Sequence, residues 1–315
     1  SAGAVRGSLA VDAALRQEVS WPVSSPLDAV ALYRSHPSLF DLTQPYFVGQ
    51  AALRDYRPVV ERPEFCWREQ EGEPKRTPLY EAHRALTRKL APFAGWEMPL
   101  WYSSVAEEHR AVRQAAGLFD VAHMGVLEVG GKHAASFLDL VFTNYVQWIG
   151  DGQASYGYLM DPDGHVLDDV MVYRRRWDRY LLVVNAINAE KDLAWLHFVN
   201  AGGLIDCENP AIQREGAVTI RDLKDPACGS DQLVDLALQG PASLSILQRL
   251  ADDATLARRI ARIRRTEFIE TELAGMPLII SRTGYTGEDF GYELFVHPDQ
   301  ALRLWNLLLE TGEPL

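Results

Sequence analysis

The chain has 315 residues, with 31 Lys and Arg against 43 Asp and Glu, a formal net charge of −12, and 47% hydrophobic residues. This composition supports a buried core and excludes global disorder. The acidic balance excludes nucleic acid as the main partner, because phosphate binding needs concentrated Lys and Arg, and no stretch approaches the roughly 18–20 apolar residues of a membrane span.

The first 76 residues differ from the rest. A short amphipathic stretch, Val11 to Val19, precedes the breaker Trp21-Pro22-Val23-Ser24-Ser25-Pro26; a helix is expected over Leu27 to Ser35, and Glu69 to Arg76 reads as a polar linker. The domains expected are an N-terminal extension over 1–76 and a main body over 77–315. From Thr77 the pattern turns regular. Thr77-Pro78 is a helix start, and Glu107 to Ala116 is a second helix ended by Gly117. A strand at Val126 to Val129, a helix at His133 to Phe142, and two strands, Tyr156 to Met160 and Val166 to Tyr173, around the turn Asp161-Pro162-Asp163-Gly164 follow. Further strands are expected at Tyr180 to Val184, Ala217 to Ile220, Leu233 to Leu238, Glu267 to Leu273, Pro277 to Ser281 and Tyr292 to Val296. Helices are expected at Asn188 to Val199, Pro241 to Ala251, Ala254 to Ile263 and Pro298 to Leu309. Hairpin turns are common in this succession, which points to an α+β fold with mixed or antiparallel sheets and flanking helices.

Cys66, Cys207 and Cys228 are odd in number and far apart, which predicts free thiols in a reducing, cytoplasmic compartment. The N-terminal 25 residues carry no continuous apolar run, so no secretory signal is expected there. The densest basic run, Arg174-Arg175-Arg176, sits between apolar segments and reads as a hairpin tip, with a local anion site as the alternative. No phosphate loop, dinucleotide fingerprint, nucleophile elbow, C-x-x-C or H-E-x-x-H occurs, so no metal site is expected.

The informative strings are TPLYEAH (77–83), FAGWEMP (93–99), GLFDVAHMG (117–125), DGHVLDDVMVYR (163–174), VVNAINAEKDLAWL (183–196), ALQGPAS (237–243) and RTGYTGED (282–289). In the last of these two glycines flank an aromatic in a tight loop, an arrangement that lets backbone approach a flat ligand. Together, and in this order, these strings resemble the T-protein (aminomethyltransferase) family of the glycine cleavage system and its folate-dependent relatives. The resemblance runs from Thr77 to about Leu315. It implies an α+β body around a central channel that holds tetrahydrofolate, and a C-terminal barrel segment that this chain, ending at Gly312-Glu313-Pro314-Leu315, lacks.

The resemblance also assigns residues. Glu293 is the carboxylate for the donor edge of the pterin, since a carboxylate accepts two parallel N–H bonds. Tyr156 and Tyr285 are aromatics of the channel, Met124 lies beside the folate, and Asn185 ends the strand that faces it. The adjacent acids Asp168 and Asp169 read as a turn-stabilising pair serving the fold. One position departs from the family: where its aminomethyltransferases carry Asp in a T-N-D-V string, this chain has Thr143-Asn144-Tyr145-Val146. A phenol, with an ordinary pKa of about 10, offers no carboxylate charge at neutral pH, and Tyr145 becomes the candidate catalytic group at the reactive end. The segment Asn200 to Asp231 is longer than usual for the family. Three activities are therefore expected in turn: aminomethyl transfer from a lipoylated carrier protein (H-protein-like) to tetrahydrofolate, giving methylenetetrahydrofolate and ammonia; tetrahydrofolate-dependent demethylation of a small S- or O-methyl compound; and folate binding without catalysis.

Overall fold

The computed structural model of the chain describes residues 34, 35, 37, 63–69, 72–209 and 212–314. The expected stretch Val11 to Val19 and most of the expected helix Leu27 to Ser35 lie outside the described residues. The unit built from Arg62–Cys207 and Gln213–Leu315 carries every feature below.

Its first helix, α1 (Tyr80–Leu86), starts where Thr77-Pro78 predicts. The Thr77 hydroxyl accepts the Leu79 N–H at 3.3 Å and donates to the buried carboxylate of Asp120 at 2.6 Å, tying the helix entry to a strand 43 residues on. Strands β1 (Leu90–Phe93) and β2 (Trp96–Pro99) form a hairpin that the sequence pattern does not announce. Four residues containing a proline are too short to show period two, but Ala94 and Gly95 both take positive φ (49° and 79°), which a two-residue turn of matching twist requires. Helix α2 (Val105–Gln114) is capped by Ser104, whose side chain accepts the Glu107 N–H. Gly117 does not cap α2; it opens β3 (Gly117–Asp120). A Cβ there would lie 2.4 Å from a Val112 methyl carbon, so the glycine is what lets the strand pass this close to the helix.

Strand β4 (Gly125–Gly130), helix α3 (Ala134–Val141), a 3₁₀ turn at Val146–Trp148, and strands β5 (Gln153–Met160), β6 (Val166–Arg176) and β7 (Arg179–Val184) follow, then helix α4 (Ala189–Asn200) and strand β8 (Thr219–Asp222). Strand β9 (Val234–Gln239), helices α5 (Ser243–Leu250) and α6 (Ala254–Ala261), strands β10 (Phe268–Leu273), β11 (Met276–Ser281) and β12 (Gly291–Val296), and helix α7 (Pro298–Gly312) complete the unit. One sheet has the order β10-β11-β12-β9-β3 and the other β5-β6-β7-β4-β8, and every strand pair in both is antiparallel. This is the expected α+β class with antiparallel sheets, and among the described residues no sheet closes into a barrel.

Period two explains how the sheets meet. On β6, Asp169, Met171 and Tyr173 share a face; in register with them on β5 are Tyr158, Tyr156 and Ala154. On β12, Glu293 and Phe295 share a face with Ser281 and Ile279 of β11 and with Ala237 and Asp235 of β9. These two faces pack on each other: Met171, Tyr173, Leu181 and Val183 from one sheet join Phe268, Ile279 and Phe295 from the other in a common core. Tyr173 and Phe295 are wholly buried there, each burial stabilising by about 1.5–3 kcal/mol. The opposite face of the β10-β11-β12-β9-β3 sheet, through Leu236, Leu238, Tyr292 and Leu294, is covered by α5, α6 and α7.

The arginine run ends β6 as expected of a hairpin tip, but Arg174 and Arg175 turn to acids rather than to solvent. Arg174 binds Asp151 at 2.7 Å, and Arg175 grips Glu270 of the facing sheet with two bonds of 2.6 and 2.8 Å. Buried Glu128 accepts further bonds from Arg179 and Arg221. Arg174 and Arg175 are thus already paired, which removes the anion-site alternative for them.

Candidate functional site

The candidate site assembles on the inner faces of the two sheets, beginning at Glu293. Its place on the inner face of β12 leaves it 9% exposed. The Tyr173 hydroxyl reaches across from the other sheet and donates to Glu293 Oε2 at 2.9 Å. Thr283, just past β11, donates to the same oxygen, and its hydroxyl lies 3.0 Å from that of Ser281. Both internal donors therefore use Oε2, and among the described residues Oε1 accepts no hydrogen bond. Burial pushes the Glu293 carboxyl up, and the two hydroxyls pull it back down. On the same face Asp235 is 1% exposed with neither oxygen partnered among the described residues. Burial first and the Glu293 charge second hold its carboxyl well above the usual range. The hydroxyl donors favour the charged form of Glu293, while burial and the Glu293 charge disfavour that of Asp235.

The loop between β11 and β12 forms the next wall. Gly284 and Gly287 take φ of 150° and 78°. A Cβ on Gly284 would fall 2.0 Å from Gln239 Oε1, so glycine there lets the loop lie close on the Gln239 side chain. Gln239 in turn donates to the Thr283 carbonyl at 3.3 Å and accepts from Thr286 at 3.1 Å, while Arg113 of α2 holds Glu288 at 2.5 Å. Pinned at both ends, the loop presents Tyr285, whose ring is 69% exposed. Desolvation first, then the charges of Glu293 and Asp169, push its hydroxyl up to about 12, which places it within electrostatic reach of both acids.

Tyr156 stands opposite, with its ring centroid 6.2 Å from that of Tyr285 and 5.6 Å from that of Tyr158. Its hydroxyl donates to Asp169 Oδ2 at 3.2 Å. Asn185, one residue past β7, donates its side-chain amide to Asp168 Oδ1 at 2.9 Å and Asp169 Oδ1 at 3.0 Å, and its N–H to Asp168 Oδ2 at 2.8 Å. The acid pair thus does more than stabilise a turn: Asp168 is buried and fixes Asn185, and Asp169 joins Asn185 to Tyr156. Behind them Asp192 of α4 is fully buried. Burial first and Asp168 second push its carboxyl up to about 9, so it keeps a proton at neutral pH.

Met124 lies in the turn before β4 and packs against the inter-sheet core that contains Tyr173. Tyr145 sits at the rim. Thr143 pairs with Tyr158 along the free edge of β5, its N–H donating at 3.1 Å to the Tyr158 carbonyl, and the Asn144 amide reaches the Tyr156 carbonyl. Gly157 makes room for this crossing, since a Cβ there would meet the Phe142 ring at 2.6 Å. The Tyr145 ring, 50% exposed, stacks edge-on against Trp148 at 5.3 Å. The structure therefore gathers Glu293, Tyr285, Tyr156 and Asn185 into one constellation, sets Met124 on the core beside it, and places Tyr145 next to Asn144, whose side-chain amide binds the Tyr156 carbonyl.

Sequence reasoning overlooks Tyr173, Thr283, Asp235, Asp169 and Tyr158 as site groups. The alternations Asp169-x-Met171-x-Tyr173 and Tyr156-x-Tyr158 carry a signal for three of them. The pairing of Tyr173 with Glu293, 120 residues apart, carries none. Two other features stand apart. A hollow of about 490 Å³ lined by Leu118, Leu238, Ile246 and Leu308 belongs to the helix-covered side and contains none of these groups. Asp161, Asp163 and His165 bring ligand atoms within 4.8 Å of one another, but Asp161 Oδ1 already accepts the N–H groups of Asp163 and His165 at 2.9 and 2.8 Å, and closing that turn accounts for the grouping.

Residues 79–315 match the family model for the GCVT N-terminal domain. Among curated relatives, an aminomethyltransferase of Desulfitobacterium hafniense (strain Y51) is 43% identical over 240 residues, and one of Bacillus subtilis (strain 168) is 40% identical over 240 residues. Each alignment covers 76% of this chain and 59% of the relative, so the chain spans about three-fifths of the length of the curated relatives it matches. Among solved structures, glycine cleavage system aminomethyltransferase T from Bartonella henselae superposes with a TM-score of 0.61 at 32% identity, covering 75% of this chain and 57% of that one. Among the described residues no helix is long and apolar enough to cross a membrane.

Proposed function

The chain belongs to the GCVT N-terminal domain family, and on that premise we propose that it binds tetrahydrofolate between its two sheets and serves aminomethyl transfer from a lipoylated carrier protein. The observation that carries this reading is Glu293: a buried carboxylate whose two internal donors occupy one oxygen and leave Oε1 for a ligand. An N–H group on the edge of a flat heterocycle matches that one free oxygen, and burial strengthens the charge-assisted bond it would receive. When bound, tetrahydrofolate supplies the nitrogen nucleophile for the carbon.

The protein's part is positioning. Tyr173 and Thr283 hold the Glu293 carboxylate in place, and Asp235, by keeping its proton, leaves Glu293 the charged member of the pair. Tyr156 and Tyr285 offer two neighbouring, partly exposed rings. Asp168 and Asp169 fix the Asn185 amide, and Met124 adds apolar wall that keeps water out. Tyr145 stands at the rim, where its hydroxyl is placed to donate or accept a hydrogen bond.

The test is a tetrahydrofolate titration of the chain, followed by turnover with the aminomethyl group on a lipoylated carrier. Saturable binding with turnover supports the reading in full. Binding with turnover only on a methylthio or methoxy donor replaces the donor and keeps the site, and binding without any turnover reduces the reading to folate binding. Absence of binding overturns it.

A further inference from the structure

We propose that Lys224 is a positioning residue of this site: its ammonium group gathers the carbonyls of the Ala122–Met124 turn and so fixes where the Met124 side chain enters the space between the sheets. The inference rests on the tetrahydrofolate reading above. The turn matters because it is the covalent crossing from β3 in one sheet to β4 in the other. Lys224 Nζ donates to Ala122 O at 2.8 Å, His123 O at 3.2 Å and Met124 O at 3.0 Å, which uses all three of its hydrogens. Its charge also lies 4.0 Å from the centre of the Trp96 ring on β2. The lysine backbone is itself held, its N–H by Asp222 Oδ1 at 2.9 Å, and the neighbouring Leu223 N–H by the Val126 carbonyl at 2.8 Å.

No ion pair forms at the ammonium among the described residues. The titratable groups that face it are Asp222 on its own segment, Asp120 at the end of β3, His123 on the turn, and Lys75 beside the β1–β2 hairpin. Asp120 is engaged by Thr77 and His83, and Lys75 by Glu190. Desolvation, with Lys75 adding to it against the two acids, lowers the Lys224 pKa to about 8. His123 is pushed below its ordinary value, mainly by burial, and so titrates well apart from the lysine. As pH rises through about 8 the nitrogen loses one of its three donors and its charge, and the hold on the turn weakens.

Two readouts separate this inference from the reading beneath it. The chain has 5 methionines, so methyl-labelled methionine gives a small set of NMR signals, with Met124→Leu identifying the relevant one. In the ligand-free protein the Met124 methyl is expected to shift with a midpoint near pH 8, and to lose that step in Lys224→Met and in Lys224→Arg, the latter charged throughout. Tetrahydrofolate affinity is expected to fall about tenfold in Lys224→Met at neutral pH, the scale of a small misplacement of a wall group, and in the wild type on raising the pH through the same step. A Met124 signal flat across that range, the same step retained in Lys224→Arg, or wild-type affinity in a folded Lys224→Met overturns the inference. Failure of the wild type to bind tetrahydrofolate at any pH overturns the functional reading instead, while the methyl step still decides whether the lysine holds the turn.

Discussion

The deep end of the site and its rim are built on different principles. At the deep end Glu293 is clamped by Tyr173 from the facing sheet and Thr283 from its own, with Asp235 buried alongside. At the rim Tyr145 is half exposed on a short loop laid along the edge of β5, and its ring stacks on Trp148, itself 85% exposed. The first arrangement needs two facing sheets, since one donor to Glu293 comes from each. The second is a local loop, where a side chain can change without disturbing the clamp around Glu293. The position where the sequence departs from the resemblance, Tyr145, falls on the loop and not in the clamp.

Removing the grip is expected to have the largest effect. Glu293→Gln keeps the shape and loses the charge, and should weaken tetrahydrofolate binding about ten- to hundredfold, the scale of one charge-assisted hydrogen bond at roughly 1.5–3 kcal/mol; titration calorimetry reads it. Tyr145→Asp restores a carboxylate at the rim and should raise aminomethyl transfer about tenfold or more with unchanged tetrahydrofolate affinity, the size of a positioned charged group. A rate assay with the lipoylated donor checks it, and no gain in a protein that binds tetrahydrofolate counts against aminomethyl transfer as the reaction.

How much of this was legible from residues alone follows the same division. The long strands β5 to β7 and the helices α4 and α7 stand within one to three residues of their expected ends, because alternation and helical spacing are local properties. The β1–β2 hairpin was not, since Pro92 interrupts a four-residue strand and the turn begins on Ala94, an unusual residue at positive φ. Gly117 read as a helix stop because a glycine after a helix commonly is one; its actual reason, the close approach of Val112, exists only in three dimensions. Glu293, Tyr156, Tyr285, Asn185 and Met124 entered through motif resemblance. Tyr173 and Asp235, whose roles depend on which strands face each other, had no such route.

Two smaller effects sharpen the contrast. Tyr173→Phe removes one donor from Glu293 and should cost about 1 kcal/mol of stability and several-fold in tetrahydrofolate affinity, while an equivalent Trp148→Phe change at the rim should alter neither; thermal melts with and without ligand separate them. Asp192→Asn tests the support beneath Asn185 through pH. The Asp192 carboxyl is raised to about 9 in the fold from about 3.9 in the unfolded chain, so the unfolded state ionises first and wild-type stability declines as pH rises from about 4 toward about 9. The amide does not titrate. Its melting temperature should therefore match the wild type near pH 4 and exceed it increasingly toward neutral and alkaline pH.

The most direct test pairs a change in the protein with a change in the ligand. Tetrahydrofolate and its analogue lacking the pterin amino group are titrated into the wild type and into Glu293→Gln. If Glu293 Oε1 accepts the donor edge, the wild type favours tetrahydrofolate over the analogue by about tenfold or more, and the variant loses most of that preference. Equal discrimination by both proteins would place the pterin elsewhere and contradict the account.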